Sequence, residues 1–308
     1  MHSSRIVIVL GLAIALALSL IPLKLAFEKL LEEQPELDSG EYLVAVTFPG
    51  IVGDLEKLVG KGRVVLVVTP EADPHHASLT PQGRRALSTA LVVVTMGHTH
   101  IDLEIEKLKK RGAIPGVLID ITKLEGIRKP VLPDGRINYH ELYCDPFNLE
   151  TLMKAVAREL ARSGLDDQSL SERLEGILRD IESVKATTGI LGGYTAIVSY
   201  AGLQPQVEWL GLQVVHYLAE DIDTSPSSNA LRRARLLLAS DIVVVVIAVN
   251  ERGEPLTTTD AWLLREAEKL GRPVLKVRFC ALATSTIDVL NETTYAAIEL
   301  AKLLRSSR

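Results

Sequence analysis

Five histidines fall between positions 75 and 140, four of them just after apolar runs and the fifth just before the central helical segment. His75 and His76 follow "RVVLVVT" in "ADPHHASLTPQ", His98 and His100 follow "LVVVTM" in "GHTHID", and His140 lies in "NYHELYCDP". A fold does not need imidazoles at such places, so their chemistry is the first thing to ask about. A neutral imidazole is the commonest protein ligand for zinc, and a site needs three or four donors converging on the ion. His75 and His76 point to different sides of an extended backbone, so one of the two binds. His98 and His100 are two apart and share a face if the backbone is extended, which makes them a candidate chelating pair. Protons compete for the same nitrogens, so binding of this kind weakens as the pH falls toward about 6.5. His216 sits inside the run "LQVVHYL" and reads as a satisfied sheet residue.

Clustering matters only if the elements bring the loops together. From Glu41 onward, strand-like runs and helices alternate: "YLVAVTF", "RVVLVVT", "LVVVTM" and "GVLIDI" are each followed by a helical or turn segment. Thr80 with Pro81 is a strong helix start. The runs lack strict polar alternation, which implies parallel sheets covered on both faces. Two helices follow, 148–164 and 169–186, with Ser169 and Glu172 spaced as a capping box. The alternation then restarts with "TTGILGG", a helix through "YTAIVSYAGL", "LQVVHYL", a helix, "DIVVVVIAV", a helix, "PVLKVRF" and a closing helix. The fold class is α/β, with two (β/α) lobes and a cleft between them, beyond the carboxyl ends of the strands. The expected organisation is a leader at 1–27, a linker at 28–40, a first lobe at 41–147, a helical connection at 148–187 and a second lobe at 188–308.

Composition narrows the function. The chain is 47% hydrophobic but only 4% aromatic, so its cores are built from Val, Ile, Leu and Ala. A net charge of −5, with no Lys/Arg block, gives no general attraction to nucleic acid. "MHSSR" followed by the uncharged stretch Ile6–Leu23 reads as a membrane anchor or signal segment with the folded part outside the cytoplasm. Cys144 and Cys280 are too few for a disulfide framework; they pair with each other, or one supplies a thiolate, or they are small buried apolar residues.

The motifs together resemble the metal-specific solute-binding proteins of ABC importers, the zinc- and manganese-binding group. That family reads "ADPHxYxxTPxD" where this chain reads "ADPHHASLTPQ", and "ADLVVxNG" where it reads "TALVVVTMG". "NPHxWLDP" is matched by "NYHELYCDP" with one extra residue, "YGL" by "YAGL" (200–203), and "EPSP" by "DTSPSS" (223–228). The resemblance implies two lobes bridged by a long helix, a divalent metal (zinc, with manganese as the other candidate) in the cleft, and delivery to an ABC permease. It implies a monomer and no catalysis. Carried over residue by residue, its two first-lobe ligands are His75 and His140. Counting back from "AGL" puts the third ligand on Leu191, which cannot bind metal, and the fourth falls on Cys280. Replacement donors are His98 or His100, the Cys280 thiolate, which would favour zinc, and Cys144. Asp288 and Glu251 stand nearby, and Asp73 and Asp145 read as turn caps.

Two rivals stay open at this level. One is a secreted zinc hydrolase with three protein ligands and a water, although no HExxH helix is present. The other is a relative that has lost the metal and binds another solute or acts as a sensor.

Overall fold

Valine is the commonest strand residue, and the structure uses it as the sequence predicts. This computed structural model describes residues 42–69, 77–165, 168–240 and 243–306; the leader, His75 and His76 lie outside them. Strands β1 (Val44–Val46), β2 (Val64–Leu66), β3 (Val92–Thr95) and β4 (Val117–Asp120) form one parallel sheet in the order β2-β1-β3-β4. Strands β5 (Thr195–Tyr200), β6 (Gln213–Ala219), β7 (Val243–Val249) and β8 (Val274–Arg278) form a second in the order β6-β5-β7-β8. The two sheets repeat one topology. β1, β3 and β7 are buried along their whole length, as expected where helices cover both faces. No described helix is long and apolar enough to cross a membrane.

The first sheet carries helices α1 (Val52–Val59), α2 (Pro81–Leu87) and α3 (His100–Lys110). Thr80 caps α2 by accepting a hydrogen bond from the Gly83 amide at 2.8 Å, with Pro81 in the first turn. Helices α4 (Pro146–Leu160) and α5 (Gln168–Lys185) then lead to the second lobe. One face of α5 buries Leu170, Ile177, Ile181 and Val184. α5 packs against both α1 and the last helix, so it touches both lobes and bridges them. It already runs at Gln168, so Ser169 is an interior residue and not the cap its spacing suggested.

The second lobe adds α6 (Leu203–Glu208), α7 (Ser228–Leu237), α8 (Thr258–Lys269) and α9 (Thr286–Ser306). One sequence reading changes here. Residues 195–200, expected as helix, are the first strand of this sheet, and "TTGILGG" is the turn before it. The β-branched residues in "TAIVSY" pair on both sides with valine-rich neighbours, and that pairing outweighs local helical spacing. Helix α6 therefore follows "YAGL", and the tripeptide after the helix is Leu210-Gly211-Leu212.

The lobes are stitched at their base by a buried carboxylate. Asp54, on α1, is fully buried. It accepts hydrogen bonds from Ser285 Oγ (2.6 Å) and from the amides of Thr286 (2.7 Å) and Ile287 (3.3 Å), so it caps α9 from the opposite lobe. Thr286 Oγ1 donates back to the Gly50 carbonyl at 2.8 Å. Burial, opposed by these hydrogen bonds and by Lys57, raises the Asp54 pKa from 3.8 to about 6. A carboxyl whose pKa is raised on folding stabilises the fold when protonated, and that contribution is lost as the pH rises through about 6. Wild type should therefore lose up to about 3 kcal/mol between about pH 3 and pH 7 relative to Asp54→Asn, which cannot titrate. Urea unfolding of the two proteins across that range measures it, and parallel pH profiles would refute it.

Candidate metal centre

His98 is placed by a tightly specified turn at the end of β3. Gly97 adopts φ 84°, and a Cβ there would stand 2.0 Å from Asp120 Oδ1, so only glycine fits. Thr99 and Asp102 then form a reciprocal capping box at the start of α3. The Asp102 carboxylate accepts from the amides of His98 (3.2 Å) and Thr99 (3.1 Å) and from Thr47 Oγ1 (2.8 Å). The turn carrying His98 is thus fixed to the ends of both β1 and α3.

His140 arrives from the crossover segment between the lobes, 128–145. Asn138, fully buried, donates from Nδ2 to the Ala201 carbonyl and to Gln204 Oε1, both at 2.9 Å, and its Oδ1 accepts the His140 amide at 3.0 Å. Gln204 returns a bond to the Val131 carbonyl at 2.9 Å. The next residue, Glu141, takes the left-handed conformation (φ 42°) and is buried, with its carboxylate against Gly202; a Cβ on that glycine would sit 2.1 Å from Oε2. His140 is therefore fastened to the second lobe by the backbone beside it.

The structure brings the rings of His98 and His140 together, edge to face, with centroids 5.3 Å apart. His140 Nδ1 also lies 3.3 Å from Asp221 Oδ1, in the turn after β6. The remaining expected donors go elsewhere. α3 begins at His100, so that ring is exposed in the first helical turn and does not form the expected chelating pair with His98. Cys280 is fully buried, with its thiol against that of Cys144. Leu191 is buried in the turn before β5, its amide bonded to the Leu210 carbonyl. Counting back instead from Leu210-Gly211-Leu212 lands on Tyr200, the residue at the carboxyl end of β5. Its hydroxyl bonds Thr257 Oγ1 and Asp260 Oδ2, and burial raises its pKa, so it stays a protonated phenol.

The acidic candidates divide similarly. Asp145 caps α4, accepting the Phe147 amide at 2.8 Å, and Asp288 pairs with Lys57 on the surface at 3.2 Å. Glu251 is 88% exposed. His216 is bonded through Nε2 to the Ala230 carbonyl at 2.9 Å, the satisfied sheet residue expected. Among the described residues, no three His, Cys, Asp or Glu side chains already converge closely enough to hold an ion. Sequence reasoning missed Asn138, Glu141 and Asp221. The signal for the last was the run "EDID" directly after an apolar strand.

Burial raises the pKa of both cysteines, for Cys144 well above 9.0, which leaves them as unreactive thiols. A disulfide-exchange dye should therefore find no accessible thiol in the native protein and two after unfolding. Fast labelling of the native protein would overturn this burial.

No curated protein sequence matches the chain significantly. Solved structures of similar fold include ZnuA (22% identity, TM-score 0.61, covering 84% of this chain and 97% of that one). The zinc-binding protein TroA from Treponema pallidum gives 12% identity and TM-score 0.63, with coverages of 85% and 99%. FpvC from Pseudomonas aeruginosa, solved with Mn2+, gives 14% identity and TM-score 0.66, with coverages of 87% and 100%. The sequence profile described as "ZnuA: Zinc-uptake complex component A periplasmic" matches residues 44–259, and on that match the chain belongs to this family of periplasmic zinc-uptake components.

Proposed function

We propose that this protein is the extracytoplasmic solute-binding component of an ABC importer. It captures a divalent transition metal, zinc by preference, in the crevice between its lobes and delivers it to a membrane permease. One observation carries the reading: two imidazoles from separate segments meet at the crevice edge with ring centres 5.3 Å apart. With metal–nitrogen bonds of about 2.0–2.1 Å, two imidazoles on one tetrahedral ion have ring centres roughly 5 Å apart. The separation suits a shared ion.

His98 and His140 supply the nitrogen donors of this reading. His75, between β2 and α2 in the sequence and outside the described residues, is proposed as a third, because segments that follow parallel strands begin on one edge of the sheet. The reading includes attachment to the membrane through the N-terminal segment and action as a monomer without catalysis. Manganese remains an alternative cargo, and the pair of nitrogen donors supports zinc more strongly.

Titration of the metal-free protein with zinc and with manganese tests this. Alanine at His98 or at His140 should each weaken zinc binding by at least tenfold, with little change in the thermal unfolding midpoint. Unchanged zinc affinity in either variant would sink the proposal.

A further inference from the structure

Each strand of the second sheet ends at the crevice, and those ends can be compared one by one. β5 ends on Tyr200, its hydroxyl committed to Thr257 and Asp260. After β8 stands Cys280, buried against Cys144. After β7 stands Asn250, whose side chain closes its own turn through Arg252, Glu254 and the Glu254 carboxylate. After β6 stands Asp221, and its carboxylate alone among these four reaches a histidine of the site.

We infer that Asp221 is the metal ligand contributed by the second lobe, an oxygen donor that completes a set with His98 and His140. This rests on the metal-binding reading above and adds a residue to it. The 3.3 Å between Asp221 Oδ1 and His140 Nδ1 is close to the separation of two donors that each lie about 2.0–2.1 Å from one tetrahedral ion, roughly 3.3 Å. His140 thus stands between both partners at distances an ion can span. The turn holding Asp221 is closed by local bonds, from its amide to Thr224 Oγ1 (3.1 Å) and from the Thr224 amide to its carbonyl (3.2 Å). A small shift of such a turn can draw the carboxylate onto the ion without disturbing β6. The acidic donor of this chain thereby comes from the turn after the second strand of its lobe, not from the segment after the last. A carboxylate there, where a thiolate had been one expectation, admits harder cations along with zinc.

The test uses the full chain, freed of metal and titrated with zinc, with cobalt(II) as a spectroscopic reporter of the ligand set. Asp221→Asn keeps the shape and should weaken zinc at least tenfold while shifting the visible cobalt bands. Asp221→His restores a donor and should recover most of the lost affinity. His140→Ala is the control. If His140→Ala abolishes binding but Asp221→Asn changes neither affinity nor spectrum, the assignment of Asp221 falls and the metal reading stands. Loss of affinity with an unchanged cobalt spectrum would also overturn ligation by Asp221. If His140→Ala binds zinc like wild type, the metal reading itself has failed.

Discussion

The arrangement depends on two buried asparagines that hold the crossover segment in place. Asn138 bonds the second lobe through the Ala201 carbonyl and Gln204, and holds the His140 amide. Asn148 accepts the Arg128 amide at 2.7 Å and donates to the carbonyls of Arg128 (2.8 Å) and Leu142 (2.9 Å). A buried amide with its hydrogen-bonding capacity used is costly to displace, because every partner left behind would be unsatisfied. The segment between them, which carries His140 and Glu141 and runs through a 3-10 turn (Leu142–Cys144) into α4, is therefore held rigidly. A crevice residue on an untethered loop would have to be ordered each time a ligand arrived.

The lobes share a topology but not a role. The first builds a fixed platform: Gly97, the Thr99–Asp102 box and Thr47 leave the His98 turn little freedom. In the second, the ends of β5 and β8 are held in the protein by Tyr200 and Cys280, and the turn after β6, closed by Asp221 and Thr224, carries the acid that meets His140. Beneath the crevice, Phe48 stacks on Tyr143 at 4.6 Å and the Cys144–Cys280 contact lies in the same apolar core. Asp54 adds a second tie between the lobes. The base is joined this way, and α5 packs across both lobes.

The motif comparison shows how a local misreading propagates. "AGL" (201–203) resembles the tripeptide that follows a helix, and that match places the expected donor on Leu191. Once 195–200 are a strand, the matching tripeptide is Leu210-Gly211-Leu212 and the donor position moves to Tyr200. The chain still lacks an imidazole at that place, but the residue there is a locked phenol at the crevice edge and not a leucine in a buried turn. The cause is the weak helix-or-strand signal of a short apolar run flanked by glycines.

The sequence alone determined the α/β class, the order of most elements and the positions of the histidines at strand ends. Those features follow from short-range causes: valine runs that must be covered on both faces, and caps such as Thr80 that act within one turn. It did not determine that His98 meets His140, that His100 faces solvent, that Cys280 turns into the core, or that Asp221 reaches the crevice. Each of those depends on contacts between residues far apart in the chain, set by sheet register and by the clamp at Asn138, and an acid in an exposed turn carries no local mark of its distant partner. Tertiary structure decided which of these side chains meet, because contact is a matter of a few ångströms and spacing along the chain does not encode distances between the lobes.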